Sequence, residues 1–102
     1  MRIIEIQDSN RKNKRFIAIL LDDDGDQVRI HFGLAGGSTY IDHKDPVKRA
    51  AYWARHSGNI QEAYYIDHLI PSPALLSAAL LWGPYQTLIE NVEFLNELWE
   101  KS

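Results

Sequence analysis

The sequence predicts an α+β domain: an N-terminal antiparallel β-meander of two to four strands, followed by about three α-helices. Three observations carry this prediction. Short apolar runs separated by polar turns fill the first third of the chain. Asp45-Pro46 and Ser72-Pro73 are helix starts, each pairing a capping side chain with a proline that withholds no needed N–H. The C-terminal stretch repeats its apolar positions at helical spacing. At 102 residues the chain fits a single domain, residues 1–102.

The elements follow in order. Ile3-Ile4-Glu5-Ile6 reads as a first strand, and Ser9 to Lys14 as a polar turn. Arg15-Phe16-Ile17-Ala18-Ile19-Leu20-Leu21 is an apolar run of strand length. Asp22 to Asp26, with Gly25, is a hairpin turn. Gln27 to Phe32 alternates, sending Val28, Ile30 and Phe32 to one face and Gln27, Arg29 and His31 to the other. Thr39-Tyr40-Ile41 is the candidate for a further short strand. A helix runs from Pro46 to about Ser57, with Gly58 at its C-cap, and Ile60 to Ile70 suits a short helix. Leu75 to Trp82 forms an apolar helix, and Gly83-Pro84 interrupts the chain. A last helix covers about Tyr85 to Glu100, with Leu88, Val92, Leu95, Leu98 and Trp99 on one stripe and glutamates opposite. The expected core is Ile17, Ile19, Val28, Ile30, Phe32, Ala50, Ala54, Leu76, Leu80, Leu88, Val92 and Leu95.

Composition narrows the function. Hydrophobic residues make up 45% of the chain, enough for a core. No apolar run is long enough to span a membrane. Cysteine is absent, which removes disulfide and thiolate chemistry and accords with a reducing compartment. The net charge of −3 is unevenly spread: residues 27–59 carry +3 and residues 60–102 carry −5. Acidic and basic faces are therefore expected, without an overall nucleic-acid footprint.

Special residue types concentrate between His31 and His56. On the helix beginning at Pro46, Val47, Ala50, Ala51 and Ala54 form a narrow apolar arc, whose small side chains let the helix lie close to the sheet. Arg49, Tyr52 and His56 stand at i, i+3 and i+7 and share one line. The expected outward face thus mixes cations with rings, suiting carboxylate or phosphate contacts with stacking. With the neighbouring hydroxyls and charges, the candidate binding residues are Ser38, Tyr40, His43, Lys44, Arg49, Tyr52, Arg55 and His56.

Other chemistries fit less well. Gly33-Leu34-Ala35-Gly36-Gly37-Ser38-Thr39 lacks the lysine and the immediate helix of a phosphate-binding loop, so its glycines read as turn geometry. The histidines at 31, 43, 56 and 68 lack the close pairing of zinc motifs, and the Asp22 to Asp26 turn lacks the order of a calcium loop. No metal, cofactor or catalytic residue is assigned.

The ordered set His31-Phe32-Gly33, Ser38-x-Tyr40, His43-Lys44-Asp45, Tyr52-x-x-Arg55-His56, Leu76-Ser77 and Leu81-Trp82-Gly83-Pro84 resembles a family of small uncharacterised proteins from large DNA viruses and phages. The resemblance spans about residues 15–90. It implies viral origin and one compact domain, with no established activity. Members of that family are lysine-rich, whereas this chain is acidic overall.

The expected function is that of a non-enzymatic viral or phage protein, a virion component or a protein-binding factor. It would present a basic-aromatic face to a viral or host protein, in the host cytoplasm or the virion. One alternative is a nucleic-acid-associated protein using Lys44, Lys48, Arg49 and Arg55 with Tyr40, Tyr52 and Trp53. Another is a small enzyme built on His31, His43 and His56.

Overall fold

A computed structural model describes residues 1–102. Strands β1 (Arg2–Asp8), β2 (Lys14–Leu21) and β3 (Gln27–Leu34) form an antiparallel sheet in the order β1-β2-β3. Helices α1 (Tyr40–His43), α2 (Pro46–Ser57), α3 (Ile60–Asp67), α4 (Pro73–Leu76) and α5 (Leu88–Lys101) follow, and α4 continues as a π-helical turn over Ser77–Leu81. The α+β prediction holds, with more and shorter helices than expected.

Pairing register decides which face of the sheet is buried. Phe16, Ala18 and Leu20 lie opposite Phe32, Ile30 and Val28, so these six side chains share one face. Ile17 and Ile19, expected in the core, lie opposite His31 and Arg29 and belong to the outer face. From Phe16 to Leu21 β2 is apolar at every position, so its own pattern carries no face information there; its partner's alternation does. Ile19 is still well covered, flanked across the strands by Glu5 and Arg29.

The core lies between the sheet's inner face and the C-terminal helices. Ile3, Ala18, Leu20 and Phe32 pack with Leu75, Leu76, Leu80, Leu81 and Leu95. Leu88, Val92, Val28 and Ile30 pack partly buried around them. Asn96 ties α5 to the edge strand β1: its side chain accepts from the Ile3 N–H at 2.8 Å and donates to the Ile3 carbonyl at 3.1 Å.

Two boundaries depart from expectation for local reasons. Thr39-Tyr40-Ile41 is not a strand; Thr39 caps α1. The Asp42 carboxylate accepts from the Thr39 N–H at 2.8 Å and the Thr39 hydroxyl at 2.9 Å. Arg15 then grips the same carboxylate through both terminal nitrogens, each at 2.7 Å. The last helix begins at Leu88 and not at Tyr85, because the Asn91 side chain captures Tyr85. Its amide oxygen accepts from the Tyr85 N–H at 2.9 Å, and its NH2 donates to the carbonyls of Tyr85 at 3.0 Å and Leu80 at 2.9 Å. Asn91 is completely buried and closes the π turn. Gly83 lies against it, where a β-carbon would overlap the Ala79 carbonyl oxygen.

Candidate functional site

α2 begins where the sequence indicates: the Asp45 carboxylate accepts from the Val47 N–H at 2.9 Å, with Pro46 at the first helical position. Its orientation is the reverse of the expected one. Val47 is 76% exposed, and Ala50, Ala51 and Ala54 are exposed too. Tyr52 is only 7% exposed, with Arg49, Trp53 and His56 half-buried beside it. Ala50 and Ala54 are therefore not core residues, and the basic-aromatic line faces inward. The reason is area: burying a tyrosine, an indole and an imidazole removes far more apolar surface from water than burying one valine and three alanines.

Trp82 receives that line. The Tyr52 ring stacks on the Trp82 indole at 4.4 Å and 4°, and the His56 ring lies 4.0 Å from Tyr52. The His43 ring packs against the indole at 5.3 Å. The Trp82 carbonyl accepts from Trp53 Nε1 at 2.9 Å and Arg49 Nε at 3.1 Å, and Arg49 also donates to the Gly83 carbonyl at 3.0 Å. The Arg49 guanidinium sits 5.6 Å from the buried Tyr40 ring and 5.9 Å from the Trp53 ring. Arg49 thus uses its Nε–H and its charge to hold α2 to the Trp82–Gly83 turn.

Beside this stack is an open cleft of about 730 Å³. Its walls are the end of β3 (Gly33, Leu34), the loop at Gly37-Ser38-Thr39, the C-terminal turn of α2 (Tyr52, Arg55, His56), α3 (Glu62, Tyr65) and the start of α4 (Ser72, Ser77). Lys14 lines the cleft together with Arg55. Glu62 is engaged by His56, whose Nδ1 lies 2.5 Å from the carboxylate. Burial, reinforced by Glu62 and opposed by Arg55, pushes the Tyr52 hydroxyl up to about 12. The cleft needs Gly33, whose positive φ of +80° and close approach to Leu81 and Arg15 leave no room for a side chain.

The expected binding residues therefore divide. Ser38, Tyr52, Arg55 and His56 line the cleft. Tyr40, His43 and Arg49 are packing groups behind it. Lys44 closes α1 in a left-handed conformation, with its side chain exposed. The histidines do not gather. His31 lies on the outer face of the sheet, 2.7 Å from the Ser9 hydroxyl. His43 Nδ1 accepts from the Asp45 N–H at 2.9 Å, which leaves the proton on a buried Nε2 without a polar partner. No group of three or more histidine or acidic side chains is close enough to hold a metal ion. No helix is long and apolar enough to cross a membrane.

The sequence reading missed three contributors: Trp82 as the platform, Lys14 as a cleft cation and Glu62 as the partner of His56. A tryptophan directly before Gly-Pro was the available signal for the first. Lys14 and Glu62 come to the cleft through tertiary packing and had no local signature.

With this geometry in hand, comparison with known proteins is informative. A family described as "Family of unknown function (DUF5754)" matches residues 4–56, from β1 to the last turn of α2. The chain belongs to this family. All eight candidate binding residues fall within the matched stretch, whereas Trp82 lies beyond it. An uncharacterized protein of Acanthamoeba polyphaga mimivirus is 36% identical over 80 residues, 78% of this chain and 80% of the relative. The viral part of the resemblance thus has a viral relative behind it. No solved structure matches the chain.

Proposed function

We propose that this family member is a non-enzymatic protein-binding factor of viral type, and that its partner seats in the cleft beside the Tyr52–Trp82 stack. One observation carries the reading: the cleft is open, mixes polar side chains with apolar surface, and reaches the end of β3. Sites for small ligands are enclosed. An open trough of this size, with apolar and polar groups side by side, suits a polypeptide segment that lays several side chains along it. The reading extends to incorporation in a virion or to a host partner in the cytoplasm, either of which supplies such a segment.

A nucleic-acid role would rest on Lys44, Lys48 and Arg55. The rings it would use for stacking, Tyr40 and Tyr52, are buried, which favours the protein reading.

Affinity capture from infected cells, read by quantitative mass spectrometry, tests the proposal. A protein captured by the wild-type chain should be lost with the double variant Lys14→Glu, Arg55→Glu and kept with Lys48→Glu, which lies outside the cleft. Identical capture by all three would sink the reading.

A further inference from the structure

We infer that the segment bound in this cleft is acidic, its carboxylate seated between Lys14 and Arg55 and accepting a hydrogen bond from the Tyr52 hydroxyl. The inference rests on the cleft being the protein-binding site and adds the chemistry of the occupant.

The first observation is an unused donor. Tyr52 is 93% buried by its 7% exposure, yet its hydroxyl makes no hydrogen bond within the protein, while its ring lines the cleft. The hydroxyl oxygen itself keeps contact with solvent, so it is free to donate to a ligand atom in the cleft. The phenol stays un-ionised well beyond neutral pH and is therefore available as a donor. A hydrogen bond from this donor is stronger to an acceptor that carries charge.

The second observation is the charge of the walls. Of the ionised side chains lining the cleft, Lys14 and Arg55 are cationic and the single carboxylate, Glu62, is already engaged by His56. These cations lie on a chain whose net charge is −3, so the positive lining is local and not a general property of the surface. Complementarity of potential selects an anionic partner and disfavours a basic one. The open trough, which runs from the end of β3 to α4, favours a polypeptide as the carrier of that anion.

The test is fluorescence anisotropy with a labelled oligoglutamate peptide at low salt, with oligolysine and a single-stranded oligonucleotide as competitors. Oligoglutamate should bind saturably. Tyr52→Phe keeps the ring on Trp82 and removes only the hydroxyl, and should weaken binding about tenfold, the worth of one hydrogen bond to a charged acceptor. Arg55→Glu should weaken it further, and Lys48→Glu should not. Circular dichroism and thermal unfolding of each variant confirm that the fold is kept. Unchanged affinity in a folded Tyr52→Phe, equal losses in Lys48→Glu and Arg55→Glu, or tighter binding of the oligonucleotide would each overturn the inference. The two readings fail separately. If the captured partner depends on Lys14 and Arg55 but oligoglutamate does not displace it, the protein-binding site stands and its acidic occupant falls.

Discussion

Replacing Tyr52 by alanine tests which face of α2 is buried. A tyrosine exposes roughly 200 Å² when free, and at about 25 cal/mol per Å² its burial is worth about 5 kcal/mol. Alanine retains part of that area and the unfolded chain hides some of it, so the expected loss is about 3–4 kcal/mol. The stack on Trp82 at 4.4 Å and the contact with His56 at 4.0 Å disappear with the ring. In a domain of this size the loss lowers the melting temperature by about 15–25 °C. The paired perturbation is Ala54→Glu on the exposed arc, expected to change stability by no more than about 0.5 kcal/mol. Were that arc the buried one, a carboxylate there would cost several kcal/mol. Urea unfolding followed by circular dichroism measures both. A loss below about 1 kcal/mol for Tyr52→Ala, together with more than about 2 kcal/mol for Ala54→Glu, would refute the argument and restore the alanine face as the core face.

Three further outcomes are expected. Asn91→Ala strips a buried carbonyl of Leu80 of its donor and frees Tyr85, and should destabilise by about 3 kcal/mol in the same urea assay. In an alkaline titration at the tyrosinate absorbance, one of the five tyrosines should ionise near 12, and Tyr52→Phe should remove that step. Because the folded value lies above the ordinary tyrosine value, Tyr52 contributes stability that is complete below about pH 10 and lost as pH rises towards 12. Arg15, followed by the Thr39 N–H and hydroxyl, holds the Asp42 carboxyl well below the usual carboxylate range. Its contribution is therefore present above about pH 4 and lost as pH falls through that depressed value. Solvent screening of this partly exposed pair limits it to about 1 kcal/mol, so Asp42→Asn should flatten the acid limb of the stability curve by that amount.

The legible part of the fold was local. Asp45-Pro46 and Ser72-Pro73 begin helices because a capping oxygen and a fixed φ act within one turn, and the structure starts helices at both. The alternation over Gln27 to Phe32 assigned β3's faces correctly, since period two needs no partner. The candidate site was legible only in part. Ser38, Tyr52, Arg55 and His56 meet at one cleft, but for a different reason than the helical wheel suggested.

What the sequence by itself determined is the order and type of the three strands and the longer helices, the capping that begins those helices, and the stretch in which the unusual residues lie. What only the tertiary structure decided is which side each amphipathic element turns inward. On α2 a narrow alanine arc competes with a tyrosine, a tryptophan and a histidine, and the wheel alone does not weigh them. Trp82, delivered by a turn that depends on Gly83 and Asn91, offers the flat surface on which those rings bury the most area. That long-range contact turns the basic-aromatic line from a presumed outer face into the floor of a cleft.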